Sequence, residues 1–370
     1  MRVGLNATCF NDRPSGAKQR FVGIYSQLVK QLPNCEFVVF EPEDCHVAAW
    51  FDGAPNVTAR RTPIPSLGRT RKFLSGLRYW KTGFQDENFD IFERFNLPIV
   101  KAPSGRTMVT IHDIRGVHLD TPFFRRAAYK GYIGKSLESA DHVITVSEAM
   151  KKEILSYFPR NEVTVIYNGL DTGPYALISD SDCLAVRRKF SLPSEFVLAV
   201  GHIEARKNYP RLIDAVARLR DRGRSCYIVI IGNDSGERRA IQQRIEAESL
   251  SGYVKILSGL SDLEVRCAYK MCSLFIFPSA YEGFGIPILE AMAASRPMVL
   301  SDLPVFREIT QNSGVYFPHD NVESMACAIE MVLGSKAEQD RRVIYGRTRV
   351  QAFGFHSLAA RLGELYFSMK

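Results

Sequence analysis

Two glutamates eight positions apart, Glu282 and Glu290, have residue types and a spacing that could do chemistry. Between them lies a glycine-rich segment, which follows the apolar run 274–277. The run predicts a buried strand, and Pro287 is typical of the first turn of a helix, so the segment predicts a strand, a loop and a helix in succession. A loop carboxylate beside a helix N-terminus, which attracts anions, can bind sugar hydroxyls next to a phosphate. The pattern therefore indicates a site for a sugar nucleotide.

This segment resembles the donor-binding signature of the retaining glycosyltransferases of the GT-B architecture. They form a large family that includes bacterial polysaccharide mannosyltransferases (glycosyltransferase family 4, group 1). The resemblance implies that Glu282 is a catalytic residue in contact with the donor sugar and that Glu290 binds the ribose hydroxyls. It also implies that the peptide groups around Phe284, Gly285 and Ile286 line the hexose. Glycine fits such a loop because the backbone must approach the ligand closely.

A pair of cations, Arg206 and Lys207, follows the apolar run 196–200 and precedes a predicted helix from about 208 to 222. A departing diphosphate needs positive charge, and no metal-binding motif is visible in the sequence to supply it. The resemblance implies that this pair binds the donor diphosphate and that the reaction needs no metal or other cofactor. Many relatives carry an arginine where this chain has His202, so the residue that contacts the first phosphate stays open. A solvated basic loop is the alternative interpretation.

Further candidates lie in the first half of the chain. His112 and Asp113 follow the apolar run 108–111. A histidine there is more often structural than catalytic when nothing else is known. The resemblance implies that His112 lies under the donor hexose, that its backbone carbonyl stabilises the positively charged anomeric carbon, and that Asp113 orients it or the acceptor. In the turn after the first strand, the amide of Gly16 could face a phosphate or the acceptor, with Arg20 neutralising charge.

The order of apolar runs predicts the fold. Strands are expected at 3–5, 37–40, 108–111, 143–146, 163–166, 196–200, 227–231, 254–257, 274–277 and 298–300. Helical patterns alternate with them, which favours parallel sheets wound by helices. At 370 residues the chain is also too long for one ordinary core. We therefore expect an α/β protein of GT-B architecture, with two Rossmann-like doubly wound domains facing across a cleft.

The domain boundaries follow from composition. Glycine, proline and polar residues are concentrated at 171–195, which predicts the linker. The N-terminal domain, 1–170, is expected to bind the acceptor, and the C-terminal domain, 196–354, the nucleotide sugar. The spacing of apolar residues in 355–370 predicts a helix, and by resemblance to the GT-B architecture this helix packs back on the first domain.

Charge suggests a peripheral membrane contact. The net charge is +8, and the segment 60–81 has no acidic residue. Its cations are Arg60, Arg61, Arg69, Arg71, Lys72, Arg78 and Lys81, and its apolar residues include Phe73, Leu74, Leu77, Tyr79 and Trp80. Such a helix can lie on an anionic membrane, which suggests attachment to the inner face of the plasma membrane and a lipid-linked saccharide acceptor. A solvated basic helix is an equal alternative.

Other features limit location and partners. No apolar run of 18 or more residues is present, and the sequence begins at once with a predicted strand. The eight cysteines have neither metal-binding nor disulfide spacing. A cytoplasmic protein is therefore expected. Nucleic acid is a poor partner because no recognised nucleic-acid module accompanies the charge.

Other functions fit less well or stay open. A nicotinamide-dependent dehydrogenase fails because Ile288 replaces the third glycine of its fingerprint. A metal-dependent glycosyltransferase needs an Asp-x-Asp motif at a strand end, whereas Asp180-Ser181-Asp182 lies in the predicted linker. Epimerisation or hydrolysis of a sugar nucleotide on the same fold, and a catalytically silent binding protein, are the alternatives.

The segment 301–308 resembles bacterial polysaccharide mannosyltransferases, so GDP-mannose or a related GDP-hexose is the leading donor, with UDP-sugars open.

Overall fold

The computed structural model of the protein describes residues 1–84, 86–95, 100–118, 123–159 and 162–370, apart from the side chain of Arg69. The chain divides into two compact units. Unit 1 contains residues 1–169 and 354–370, and unit 2 contains residues 170–353. Unit 2 is therefore an insertion into unit 1.

Unit 1 is a parallel sheet covered by helices. Its strands are β1 (Arg2–Asn6), β2 (Glu36–Glu41), β3 (Val57–Arg61), β4 (Ile91–Phe95), β5 (Arg106–Ile111), β6 (His142–Thr145) and β7 (Val163–Val165). The helices between them are α1 (Gly16–Gln31), α2 (Arg69–Thr82), α3 (Phe123–Glu138) and α4 (Glu148–Tyr157). The strands form one sheet in the order β3-β2-β1-β4-β5-β6-β7, and every pair is parallel.

The closing helix of the chain, Phe355–Met369, packs in the core of unit 1. Leu358 and Leu362 of this helix share one apolar cluster with Leu28 of α1. Gly23 permits this packing, because a Cβ at that position would lie 2.3 Å from the ring of Phe355. The last segment of the chain thus completes a core that the first segment begins.

Two other helices, α2 and α3, lie on one common face of the sheet. Phe92 of β4 packs against Trp80 of α2, with ring centroids 6.0 Å apart. Two positions later on the same strand, Arg94 donates a hydrogen bond to the backbone oxygen of Ser136 in α3. Since residues two apart on a strand point to the same side, both helices cover the same face.

Unit 2 repeats this architecture. Its strands are β8 (Val197–Val200), β9 (Ile228–Ile231), β10 (Val254–Leu257), β11 (Leu274–Phe277), β12 (Met298–Ser301) and β13 (Gly314–Phe317). Its helices are α5 (Gly173–Ala176), α6 (Asp180–Phe190), α7 (Tyr209–Asp221), α8 (Arg238–Ala247), α9 (Asp262–Met271), α10 (Ile286–Ala293), α11 (Pro304–Thr310), α12 (Val322–Leu333) and α13 (Lys336–Arg349). The parallel sheet has the order β10-β9-β8-β11-β12-β13.

The strand order of unit 2 reverses between β8 and β11. From β8 the chain builds outward to β9 and β10, and from β11 it builds the other way to β12 and β13. In doubly wound sheets, ligands bind beyond the carboxyl ends of the strands at such a switch point. The loops that follow β8 and β11 are the ones that carry the predicted cations and the first predicted glutamate.

The structure contains every strand predicted from the sequence and adds β3, β4 and β13. It also confirms two Rossmann-like α/β units with parallel sheets. Where the sequence predicts a linker, at 171–195, the structure has α5 and α6, and α6 packs on α9 inside unit 2. Asp182 of the Asp-x-Asp sequence forms a capping box with Ser179 at the start of α6. Among the described residues, none of the helices combines the length and apolar character needed to cross a membrane.

Candidate functional site

Two loops of unit 2, one after β8 and one after β11, are joined by hydrogen bonds. The backbone N–H of Ala280 donates to the backbone oxygen of Arg206 at 2.8 Å. The side-chain amide of Asn208 donates to the backbone oxygens of Pro278 at 3.1 Å and His319 at 2.7 Å. These bonds fix the loop that carries the cations against the loop that carries the first glutamate.

The local backbone explains several residue choices in these loops. Asn208 lies in the left-handed region (φ 59°, ψ 28°), which asparagine tolerates better than most residues. Gly232, after β9, must be glycine because a Cβ there would lie 1.9 Å from the carbonyl oxygen of Gly201. A Cβ on Gly201 would in turn lie 3.0 Å from Cε of Lys207. The close packing around Gly201 therefore leaves room for the side chain of Lys207 and for little else.

Arg206, Lys207, Glu282 and Glu204 form one group, which we call the ion cluster. Lys207 Nζ and Arg206 Nη1 each lie 2.6 Å from Glu282 Oε1. Arg206 Nη2 lies 2.6 Å from Glu204 Oε1, and the hydroxyl of Ser279 donates to Glu282 Oε1 at 2.9 Å. The side chains of Lys207 and Glu282 are only 6% and 9% exposed. Three of the predicted site residues are thus in direct contact.

The electrostatics of the ion cluster hold Glu282 in its ionised form. Burial by itself would raise the pKa of this carboxyl, but the charges of Lys207 and Arg206 outweigh burial and lower the pKa to about 2. Burial lowers the pKa of the Lys207 ammonium, and the charge of Glu282 opposes that effect. The ammonium also lies 4.4 Å from the ring centroid of Phe277, a favourable cation–π contact. An ionised carboxylate can only accept hydrogen bonds, which suits it to sugar hydroxyls.

Glu290 lies in α10 and faces a different set of side chains. The hydroxyl of Tyr269 in α9 donates to Glu290 Oε2 at 2.8 Å. Burial raises the pKa of Glu290, and the hydrogen bond from Tyr269 opposes this rise. Tyr175 of α5 and Arg266 of α9 also interact electrostatically with Glu290. A carboxylate beside two tyrosines has the chemistry to bind ribose hydroxyls next to a stacked base.

The loop between β11 and α10 presents its backbone. Phe284 is buried, with its ring against Phe353 at a centroid distance of 5.9 Å, and Ile286 is also buried. Gly285 has φ 108°, a conformation that favours glycine, and it immediately precedes the first residue of α10. Since the side chains at 284 and 286 point into the core, the peptide groups of the loop and of the helix N-terminus are what a ligand can contact.

A cavity of about 740 Å³ lies elsewhere in unit 2. Its lining includes Phe196, Tyr227, Ser273 and Pro297, which lie at the amino ends of β8, β9, β11 and β12. None of the predicted site residues lines it. Ligands of doubly wound sheets bind at the carboxyl ends of the strands, which makes the ion cluster, and not this cavity, the candidate functional site.

In unit 1, His112 follows β5 and is half-buried. Burial, assisted by the positive charge of Arg20, lowers the pKa of His112 to about 3, so its imidazole is neutral at physiological pH. Arg20 is itself buried in α1 and donates to the backbone oxygen of Ile166 at 3.3 Å. A neutral histidine next to a buried cation cannot itself supply positive charge to a substrate.

The other predicted site residues of unit 1 are Asp113 and Gly16. Asp113 Oδ1 accepts a hydrogen bond from the backbone N–H of Arg115 at 3.2 Å. Gly16 is exposed and is the first residue of α1, whose N-cap is Ser15. The roles that the resemblance implies for His112, Asp113 and Gly16 stay predictions.

Four contacting side chains were missed by the sequence analysis: Glu204, Asn208, Tyr269 and Ser279. Glu204 and Ser279 lie two and three positions from an assigned residue, so short spacing was a usable signal. Tyr269 reaches Glu290 from another helix, and nothing local in the sequence indicates that contact. Within the described ranges, no group of three or more His, Cys, Asp or Glu side chains could hold a metal ion.

Comparison with protein families assigns both halves of the chain. Residues 16–173 match the family model described as Glycosyltransferase Family 4. Residues 186–349 match the model described as Glycosyl transferases group 1. Together the two matches cover most of the chain, and the second contains the whole ion cluster and Glu290.

Comparisons with individual proteins agree with the family assignment. The chain is 28% identical to the O-antigen chain mannosyltransferase RfbU of Salmonella typhimurium, over 60% of each chain, so the match spans less than two thirds of that relative. It is 26% identical to O-antigen chain mannosyltransferase B of Escherichia coli, over 70% of each chain. Among solved structures, sucrose-phosphate synthase from Thermosynechococcus elongatus superposes with a TM-score of 0.76 at 18% identity, over 99% of this chain and 98% of that one. This last likeness shows the fold, the GT-B architecture.

Proposed function

Since the chain belongs to the glycosyltransferases of family 4 and group 1, we propose that it transfers a hexose from a nucleotide sugar to a saccharide or lipid-linked saccharide. The product would be a bacterial surface polysaccharide or glycolipid. The observation that carries the proposal is the ion cluster, in which Lys207 and Arg206 meet Glu282 at 2.6 Å at the switch point of unit 2. The mannosyltransferases among the relatives support GDP-mannose, or a related GDP-hexose, as the leading donor.

Each part of the donor has a partner in unit 2. The diphosphate binds Arg206 and Lys207, which supply positive charge as the glycosidic bond breaks. The ribose hydroxyls bind Glu290, which lies beside Tyr269 and Tyr175. The hexose hydroxyls bind Glu282, which is ionised and accepts hydrogen bonds only. The peptide groups of the β11–α10 loop line the hexose.

The proposed reaction retains configuration and uses no metal. Charge builds on the leaving diphosphate and on an oxocarbenium-like sugar, so fixed cations and a fixed carboxylate lower the barrier more than flexible ones. The acceptor hydroxyl enters on the face that the diphosphate leaves, and its proton passes to the departing phosphate oxygen. No side-chain base is needed on this route.

Part of the predicted membrane-binding segment, 60–81, is occupied by contacts within the protein. Several of its cations have acidic partners from outside the segment: Arg60 pairs with Glu87 at 2.5 Å and Arg71 with Glu43 at 2.8 Å. Tyr79 and Trp80 pack toward the core. The exposed part of α2 is therefore smaller than the sequence suggests.

The same face gains a second helix, α3. Exposed apolar side chains of the two helices are Phe73, Leu74, Leu77, Phe123 and Phe124, which are 56–76% exposed. Exposed cations of the two helices include Arg78, Lys81, Arg125, Arg126, Lys130 and Lys135. Since α2 and α3 cover one face of the sheet, we propose that this face lies on an anionic lipid surface at the cytoplasmic side, close to a lipid-linked acceptor.

A thermal-shift experiment in EDTA tests the donor site. GDP-, UDP-, ADP- and dTDP-sugars are added in turn to the full chain, because a ligand that binds only the folded state raises the melting temperature. Stabilisation by one nucleotide family is expected, followed by transfer of the radiolabelled hexose from that donor to saccharide acceptors. Free mannose, which lacks the nucleotide, is the ligand control. No shift with any nucleotide sugar, or a shift only with added metal or NAD, refutes the proposal.

A further inference from the structure

The ion cluster is electrically balanced before a ligand binds. Arg206 and Lys207 carry two positive charges, and the carboxylates of Glu204 and Glu282 lie within 2.6 Å of them. The low pKa of Glu282, about 2, means that its negative charge is present throughout the physiological range. A diphosphate that approaches these cations therefore meets charges that are already neutralised.

One carboxylate oxygen contacts both cations. Glu282 Oε1 lies 2.6 Å from Lys207 Nζ and 2.6 Å from Arg206 Nη1, the two cations that the proposed function assigns to the diphosphate. Two anionic oxygens that share the same donors repel each other strongly in a site screened from water. The side chains of Glu282 and Lys207 are less than 10% exposed, so solvent does little to weaken this repulsion.

We infer, on the basis of the proposed function, that Glu282 is an internal counter-anion that makes the site select an intact nucleotide sugar over a free nucleoside diphosphate. The hydroxyls of the hexose can donate hydrogen bonds to Glu282 and so replace those it loses when the cations turn to the diphosphate. A nucleoside diphosphate has no hexose, so Glu282 stays beside the phosphates and opposes its binding. The repulsive element provides the discrimination.

Glu282 also affects release of the product. After transfer, the hexose leaves on the acceptor and the nucleoside diphosphate remains next to the ionised carboxylate. Glu282 then regains Lys207 and Arg206 and displaces the diphosphate. The same contact that neutralises the cations in the free protein thus favours release of the product.

Isothermal titration calorimetry on the full chain tests the inference. The ligands are GDP with GDP-mannose, and UDP with UDP-glucose, and the proteins are the wild type, Glu282→Gln and Glu282→Asp. Removal of the charge in Glu282→Gln is expected to tighten binding of the nucleoside diphosphate about tenfold or more, without tightening that of the nucleotide sugar. Glu282→Asp keeps the charge and is expected to keep the wild-type preference. Circular dichroism spectra establish that each variant is folded.

Glu330→Gln is the matched control. Glu330 also lies between two cations, 3.3 Å from Arg222 and 2.9 Å from Arg224, but it lines the cavity at the amino ends of the strands. Glu330→Gln should change neither the affinity for the nucleoside diphosphate nor that for the nucleotide sugar. If Glu282→Gln binds the nucleoside diphosphate no more tightly than the wild type does, the inference is wrong while the proposed function stands. If no protein of the set binds any of these nucleotides, the proposed function and the inference both fail.

Discussion

Replacement of Glu282 by glutamine should destabilise unit 2 in a way that depends on pH. In the folded protein its carboxyl has a pKa of about 2, against an ordinary value of 4.5. A folded pKa below the unfolded one means that ionisation stabilises the folded state above pH 4.5, and that this stabilisation is lost as the pH falls toward 2. Glutamine resembles the protonated carboxyl, so the variant lacks the stabilisation at every pH.

The size of the effect follows from the same two pKa values. Each pKa unit corresponds to about 1.4 kcal/mol, so the free energy of opening of unit 2 should be about 3 kcal/mol lower in Glu282→Gln at pH 7. The difference should fall to about 2 kcal/mol at pH 3.5, because protonation has by that pH removed part of the stabilisation that ionised Glu282 gives the wild type. The side chain is 9% exposed, so solvent screening reduces these figures little.

Hydrogen–deuterium exchange is the suitable assay. Both tryptophans, Trp50 and Trp80, belong to unit 1, so tryptophan fluorescence does not report on unit 2. Exchange of peptides from β8 and β11 should accelerate in the variant at pH 7, and peptides from β5 in unit 1 serve as the internal reference. Equal protection of β8 and β11 in the two proteins, or a difference that does not shrink on acidification, would refute the reasoning.

Three further predictions concern the donor and the membrane. The double variant Arg206→Ala/Lys207→Ala should lower the initial rate of hexose transfer about a hundredfold or more, because the leaving diphosphate loses its counter-charge; a wild-type rate would remove the phosphate assignment. Tyr269→Phe removes the hydrogen bond that opposes the raised pKa of Glu290, so this carboxylate should become protonated at a higher pH than in the wild type. When the donor KM is measured from about pH 5 to 8, its rise on acidification should therefore begin at a higher pH in the variant. An unchanged pH profile of KM would contradict the ribose role of Glu290. Leu74→Glu, on the exposed face of α2, should reduce co-sedimentation with phosphatidylglycerol vesicles at low salt, and undiminished binding would contradict the proposed lipid surface.

Two of the three strands that the sequence failed to predict, β3 and β4, lack a continuous apolar run, each for its own physical reason. β3 has almost entirely exposed side chains, so it carries no apolar pattern. β4 is fully buried but contains Glu93 and Arg94, and their charges hide it from any search for apolar runs. Tyr366 and Thr110 donate hydrogen bonds to Glu93, which is how a carboxylate can lie in a core. Burial of a charged side chain depends on hydrogen-bond partners far along the chain and cannot be predicted locally.

The site was predictable in its residue types but not in its contacts. The loop, the proline and the spacing of the glutamates were sufficient to name Glu282 and Glu290 as candidates, since these are local features, and their roles stay predictions. The ion pair between Lys207 and Glu282 joins residues 75 positions apart, and it exists because β8 and β11 are neighbours in the sheet. That pairing reverses the order of the strands along the chain, which a single sequence does not reveal.

The insertion of unit 2 into unit 1 has a consequence for how the protein is made. The core of unit 1 includes Leu358, Leu362 and Tyr366, which the ribosome adds after the whole of unit 2. At a synthesis rate of about 10 residues per second, the first 169 residues wait roughly 20 seconds for the helix that completes their core. During that interval the surface of α1 that this helix will cover is open to chaperones and to other nascent chains, while unit 2 can already fold.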